Sequence, residues 1–351
     1  MRTPEASTPP SDHPFRAVLL GTAVGDALGL PAEGLSPQRI RRRWKGIWRM
    51  RLVFGRGMVS DDTEHAVMTA QALLESKADP IFFQHHLSRR IRMWFACLPP
   101  GIGLATARSC IRLWLGVSPE RSGVWSAGNG PLMRAPIIGA WFARDAEKRR
   151  DFIRRSTRIT HTDPRAEIAA QAVAGTAAWL VRSEDSRDDL LEQLVSLSDD
   201  EEWMAHLFRL RESLRIQHTL AEFVEAMGLK KGVSGYAYHT APVALYAVLG
   251  NHASFEEALG AVLDLGGDTD SVGAIVGALL ALRDGEDTIP RRWLNGIVDH
   301  PISVKALEKL ASEMAGDGDA RSLRLSPWRM IPRNLILLGI VLIHGIRRLW
   351  P

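Results

Sequence analysis

The 351-residue sequence predicts an all-α fold. Apolar residues recur at helical spacing in long runs, and several runs open on Ser, Asp or Asp-Pro, which favour helix N-termini. Strand signals are scarce, with residues 50–54 the best short candidate. No fixed-period repeat and no Pro- or Ser-rich linker divides the chain near its middle, which points to one main unit.

The elements follow in order. Residues 15–30 form an apolar run with Gly21, Gly25 and Gly29 four apart on one helix face. Glycine in a helix costs about 1 kcal/mol against alanine, so three in register predict close approach of a neighbouring backbone. Ser60-Asp61-Asp62-Thr63 opens a helix that continues through 63–74. There Asp61, with Glu64 three residues on, resembles a capping box. Helices are expected over 81–95 and 103–115, separated by the loop Pro99-Pro100-Gly101. Residues 122–136 read as a glycine-bearing loop, and 136–143 begin another helix. Asp163-Pro164 is a helix start with Pro at the first helical position, leading an alanine-rich run to residue 181. The charged stretch 183–200 reads as a surface helix and a loop. Helices follow over 240–249, 255–265 and 271–282. In the last, Gly273 and Gly277 lie among alanines, a composition suited to tight packing.

Composition is ordinary for a globular protein, with 46% hydrophobic and 24% charged residues and enough length for a large core. The formal charge is +4 and the isoelectric point about 9.3. Basic residues cluster at Arg39, Arg41, Arg42, Arg43 and Lys45, at Lys148–Arg155, and at Arg347 and Arg348. Solvated helix faces account for such clusters; an anionic partner is the alternative. Cys97 and Cys110 lie in no metal-ligand spacing and suggest no disulfide framework, which fits a reducing compartment. Residues 1–13 lack the apolar core of a signal peptide and read as a frayed tail, so a cytoplasmic protein is expected. Near the other end, 335–343 is apolar or glycine, with Arg329 and Arg333 before it and Arg347 and Arg348 after. It falls short of the roughly twenty residues a membrane span needs. It reads as a docked core helix, ahead of an interfacial membrane anchor through 335–346. The expected organisation is a tail (1–13), a main domain (14–315), and a linker with a C-terminal apolar helix (316–351).

Two acidic clusters carry the chemistry: Ser60-Asp61-Asp62-Thr63 and Gly266-Gly267-Asp268-Thr269-Asp270-Ser271. Helix capping explains either one alone. Capping needs one side chain, however, and each cluster pairs two carboxylates with hydroxyls. Crowded carboxylates repel, and a divalent cation relieves the repulsion. The ligand set is all hard oxygen, suited to Mg²⁺ or Mn²⁺ rather than zinc. Ser126-Ala127-Gly128-Asn129-Gly130 could bring backbone N–H groups close to phosphate, although it is no P-loop. His161 and Glu33, taken singly, read as a structural hydrogen-bonder and a surface residue.

Together these segments resemble the ADP-ribosylglycohydrolase family. The resemblance runs in order through Gly25-Asp26-Ala27-Leu28-Gly29, Glu33, Ser60-Asp61-Asp62-Thr63, Gly101-Ile102-Gly103, Gly128-Asn129-Gly130 with Met133-Arg134, Thr160-His161, Gly235-Tyr236 and the second acidic cluster. It spans roughly residues 15 to 300. It implies a compact, single-domain orthogonal helical bundle with two Mg²⁺ or Mn²⁺ ions in a central cleft. The implied metal ligands are Ser60, Asp61, Asp62, Asp268, Asp270 and Ser271. The implied ADP-ribose pocket is lined by Gly103, Ser126, Gly128, Asn129, Gly130, His161 and Tyr236, with phosphates on N–H groups of 128–130. The implied reaction is hydrolysis at the anomeric carbon by a metal-activated water. Asp61, Asp62 or Glu33 would act as general base or leaving-group acid. An arginine acceptor calls for a carboxylate, and residues 97–101 hold none. Serine, nucleic-acid and small-molecule acceptors therefore stay open beside arginine. An ADP-ribose-binding reader with little turnover, or a hydrolase of another nucleoside or glycosyl compound, are the alternative functions.

Overall fold

The computed structural model describes residues 14–316, 323 and 325–349. Among them the chain forms seventeen α-helices, with isolated β-bridges but no named strand. In order these are α1 (Pro14–Gly29), α2 (Pro37–Trp44), α3 (Asp61–Ser76), α4 (Pro80–Phe95), α5 (Leu104–Trp114), α6 (Ala135–Trp141), α7 (Ala146–Arg158), α8 (Pro164–Arg182) and α9 (Arg187–Val195). Then come α10 (Glu201–Arg215), α11 (Leu220–Ala226), α12 (Ala237–Leu249), α13 (Phe255–Asp264), α14 (Thr269–Asp284), α15 (Arg291–Leu294), α16 (Val304–Ala315) and α17 (Pro327–Leu349). The expected tail, residues 1–13, lies outside the described residues.

The central contact is between α1 and α14. Their glycines meet backbone to backbone. A Cβ added at Gly21 would stand 2.2 Å from the Gly277 carbonyl oxygen, one at Gly25 1.9 Å from that of Gly273, and one at Gly29 2.2 Å from that of Thr269. The propensity cost of these glycines is offset by close packing of two almost wholly buried helices. Helix α16 covers α1, α13 covers α14, and α8 packs on α6 and α12. The expected close approach at Gly21, Gly25 and Gly29 is therefore found, with α14 as the neighbour.

Three expectations are corrected. Residues 50–54 form no strand; Val53 and Arg56 pair across a tight turn in which Phe54 is fully exposed. Asp61 does not begin a capping box. The N-cap of α3 is Ser60, whose hydroxyl accepts from the Asp62 N–H, while Glu64 turns inward to Arg333 and the Trp94 indole. The C-terminal apolar run is the middle of the 23-residue α17. It is docked along one side only, through Met330, Arg333, Asn334 and Leu337.

Candidate active site

Three helix ends converge on the acidic residues. Asp26 lies in the last turn of α1. Asp61 and Asp62 open α3, and Asp270 and Ser271 open α14. The N-terminal ends of α3 and α14 present their positive dipoles to carboxylates. The approach to α14 is built by glycine. Gly267, at φ +86°, threads between two loops, where its N–H donates to the Leu35 carbonyl (2.9 Å) and its own carbonyl accepts from the Gly34 N–H (2.7 Å). An added Cβ there would sit 2.1 Å from the Val233 oxygen. The next N–H, of Asp268, donates to that same Val233 oxygen at 2.7 Å. Gly266-Gly267 thus fixes where Asp268 and Asp270 emerge.

The two acidic clusters meet directly. The Ser271 hydroxyl donates to Asp62 Oδ2 at 3.4 Å across 209 residues of sequence. The Ser60 hydroxyl donates to the same oxygen at 3.2 Å. Asp268 has no capping bond to its own helix; its Oδ2 accepts from Asn129 Nδ2 at 2.7 Å instead. Asp62 and Asp270 are buried, whereas Asp61, Asp268 and Glu33 are half-buried.

Electrostatics follow from this crowding. Burial pushes the Asp61 carboxyl well above the usual range, and Glu64, Asp26 and Glu33 push it further. Burial raises Asp62, with Asp61, Asp26 and Asp268 adding to it. Burial likewise raises Asp270, helped by Glu33, Asp268 and Asp62. These carboxylates share one field and repel one another.

The donors fit a hard divalent cation. Oδ1 of Asp26, Asp62 and Asp270 are buried without a hydrogen-bond partner among the described residues. Buried acceptors are normally satisfied. Orphaned oxygens on mutually repelling carboxylates, beside two serine hydroxyls, form the donor set that Mg²⁺ or Mn²⁺ takes. Among the described residues, no three His, Cys, Asp or Glu side chains already surround one point in ligating geometry. The fit therefore rests on donor chemistry and unpartnered oxygens rather than on a closed cage.

The loop of residues 126–130 borders Asp268. Asn129 bridges Asp268 and the Thr240 hydroxyl (3.1 Å). Gly128 pairs with Tyr236, and an added Cβ at Gly128 or Gly130 would press on the His161 ring at 3.0 or 3.1 Å. In the loop expected to cradle phosphate, the Asn129 N–H donates to the Gly235 carbonyl (2.8 Å), and the Gly128 N–H to the Ser126 hydroxyl (3.2 Å). Gly103 caps α5 in an exposed position with open space around it. Tyr236 donates its hydroxyl to Glu202 (2.7 Å) and accepts from Arg165 (3.3 Å). His161 is buried, with Nδ1 at 2.9 Å from the Thr160 hydroxyl; burial, then the nearby Arg134, drops its pKa to about 3.

Two supporting groups were not recognised as site residues from sequence. Asp26 lies inside α1, and its Oδ2 accepts from the Ser60 N–H (2.8 Å), the Thr63 N–H (3.2 Å) and the Thr63 hydroxyl (2.5 Å). It clamps the start of α3 to α1, and burial lifts its pKa to about 6. A lone aspartate in an otherwise apolar helical run was the available signal. The second is Arg333 of α17, which pairs with Glu64 and Asp299 and donates to the Val59 carbonyl, just before Ser60. Nothing local in the sequence marks that contact.

The sequence profile described as ADP-ribosylglycohydrolase matches residues 8–323. A protein of Archaeoglobus fulgidus without an assigned function is 31% identical over 86% of this chain and 96% of its own. The ADP-ribosyl-[dinitrogen reductase] glycohydrolase of Rhodospirillum rubrum is 26% identical over 82% and 92%, and the ADP-ribosylhydrolase ARH3 of Gallus gallus 24% over 82% and 89%. A solved structure described as an ADP-ribosylglycohydrolase-related protein complex superposes with a TM-score of 0.59, at 26% identity, over 88% of this chain and 98% of that one.

Proposed function

Because the chain belongs to the ADP-ribosylglycohydrolase family, we propose that it hydrolyses the bond between the anomeric carbon of ADP-ribose and an acceptor, with two divalent cations. The substrate is an ADP-ribosylated protein or another ADP-ribose conjugate. The observation that carries this reading is the meeting of the two acidic clusters through Ser271 and Asp62, with Oδ1 of Asp62 and Asp270 left unpartnered.

Ser60, Asp61, Asp62, Asp268, Asp270 and Ser271 would hold the ions. When bound, Mg²⁺ or Mn²⁺ supplies Lewis-acid stabilisation of negative charge on oxygen and lowers the pKa of water at the site. Asp62, buried and tied to two hydroxyls, would serve as a fixed ligand. Asp61 and Glu33 are less buried than Asp62, and we assign them the exchange of a proton with water or with the departing acceptor. Water adds to the anomeric carbon, the glycosidic bond breaks, and the acceptor leaves with a proton. Asn129 holds Asp268 in place and His161 backs the 126–130 loop, so this side of the cleft is rigid before substrate enters. The acceptor would face residues 97–101, where Leu98 is exposed and no acid stands. Cys97 and Cys110 are both buried free thiols, which supports a reducing, cytoplasmic setting.

The test is an ADP-ribose release assay on arginine-, serine- and nucleic-acid-linked substrates with Mg²⁺ or Mn²⁺. We expect turnover of at least one linkage, lost on chelation and reduced by about 10³ or more in Asp270→Asn. Full activity after rigorous metal removal would sink the mechanism. Tight ADP-ribose binding without release from any substrate would mark a reader instead.

A further inference from the structure

Helix α17 lies beyond the region matched by the family profile, which ends at residue 323. It is amphipathic with respect to the protein body. Met330, Arg333, Asn334 and Leu337 are buried, and the His344 imidazole meets the Leu52 carbonyl. On the opposite side, Trp328, Leu335, Ile336, Leu342, Ile343 and Ile346 are all exposed, Trp328 to 88%. From Pro332 to Ile346 this outer face carries no charged residue. A contiguous apolar face of this length, about 20 Å at 1.5 Å per residue, is what a soluble surface normally avoids.

Charge indicates what covers it. From Ala320 to Pro351 the sequence has no acidic residue and six arginines, five of them besides the buried, ion-paired Arg333. The segment against which α17 docks is equally one-sided, with eight Lys and Arg and no Asp or Glu between Gly34 and Val59. Leu52 of that segment clusters with Leu337 and Leu30, and Arg51 beside it ties back to α2 by donating to the Arg43 carbonyl (3.3 Å). Fully exposed Phe54 sits at the tip of this segment, with exposed Arg56 two residues on. Apolar tips on two basic segments that themselves carry no acid match an anionic bilayer, whose headgroups attract the cations while its acyl boundary accepts the apolar side chains; the exposed acid beside them, Glu75, is paired with Arg90 and His86.

We propose that α17 and the 47–56 loop form a docking surface for an anionic lipid bilayer, with α17 lying in the membrane plane. By length and composition, residues 327–346 could cross a membrane. Arg333 argues against crossing, because withdrawing α17 would strand Glu64 and Asp299, the buried carboxylates it pairs with. The other apolar candidate, residues 14–32, is 89% buried as the core helix α1. This inference does not depend on the hydrolase reading. The surface does adjoin the cleft, since Leu30 lies three residues before Glu33 and Asn334 donates to the Cys97 carbonyl (2.8 Å) of the acceptor-side loop.

The experiment is flotation of the full-length protein with phosphatidylcholine vesicles, with and without phosphatidylglycerol, at low and high salt. We expect co-flotation with phosphatidylglycerol vesicles, weakened by salt. Ile336→Ser with Ile343→Ser should lower vesicle affinity about tenfold or more while leaving the circular dichroism spectrum unchanged. Three results would overturn the proposal. One is equal partitioning of wild type and double variant. Another is a concentration-dependent dimer that the same substitutions abolish, in protein that ignores vesicles; the face would then belong to a second copy. The third is protein that stays with cell membranes through alkaline carbonate extraction, which would make α17 a span.

Discussion

Arg134 shows how a single residue can organise a site without touching its acids. It is fully buried, and among the described residues it has no carboxylate partner. Its guanidinium donates to the Ser156 hydroxyl (2.8 Å), the Ser156 carbonyl (3.0 Å) and the Thr160 hydroxyl (3.0 Å), and it meets His65 Nδ1 at 2.9 Å. Burial lowers its pKa to about 9, and its charge helps keep His65 and His161 neutral. Replacing it by methionine removes every one of these donors while leaving the acceptors buried. Arg134→Met should therefore lose about 2–4 kcal/mol of stability in denaturant unfolding. The His161 titration, followed by NMR, should move upward. A His161 titration that stays put would show that burial alone controls the ring. In the sequence Arg134 was visible as part of Met133-Arg134 and Thr160 beside His161, but not that the two meet. The partners come from α3, α7 and the turn after α7, whose placement is tertiary.

Among the elements, the α1–α14 pair is the most exposed to test. Gly25→Ala places a methyl 1.9 Å from a backbone oxygen that cannot move without shifting α14. We expect a loss of more than about 3 kcal/mol, or no soluble protein. Gly175, inside α8, has nothing within 4 Å of an added Cβ. Gly175→Ala should instead gain up to about 1 kcal/mol from helix propensity. Thermal denaturation of both variants checks the contrast, and similar effects would refute the packing argument. The glycine spacing was readable because a recurring cost at one helix face demands a compensating contact. Helix boundaries were readable where caps were strong, as at Asp163, whose side chain accepts from the Arg165 N–H. Helices α10, α11, α15 and α16 were not anticipated, and α2 and α7 only as charged helix faces. In α7 charge dominates, and only a few side chains such as Phe152 and Ile153 reach the core. The capping box expected at Asp61 failed for a physical reason: Ser60 is the N-cap, which puts Thr63 rather than Glu64 at the third helical position, and Glu64 pairs with Arg333 and the Trp94 indole instead.

The whole molecule stores electrostatic strain where the acidic clusters meet. Burial raises the folded-state pKa values of Asp61, Asp62 and Asp270, and that of Asp26 to about 6. A carboxyl raised in the folded state contributes fully to stability below its unfolded pKa, near 3.8, and that contribution is lost as pH rises through the folded value. Without cations the protein should thus lose stability from these groups toward neutral pH. Saturating Mg²⁺ should raise Tm by about 5 °C at pH 7.5 and by less near pH 5, where protons occupy the same oxygens. Asp270→Asn should raise the metal-free Tm and blunt the Mg²⁺ response. Differential scanning fluorimetry across pH reads all three, and a Mg²⁺ response independent of both pH and Asp270 would contradict the assignment. The all-helical class, the glycine faces and the two acidic clusters were legible in the residues alone, because these depend on local periodicity, propensity and charge density. Packing of distant helices sets that Ser271 reaches Asp62, that Asp26 clamps Ser60 and Thr63, and that α17 turns an apolar face outward. Each depends on which surfaces the packed helices bring together, and local spacing carries no record of partners more than thirty residues away.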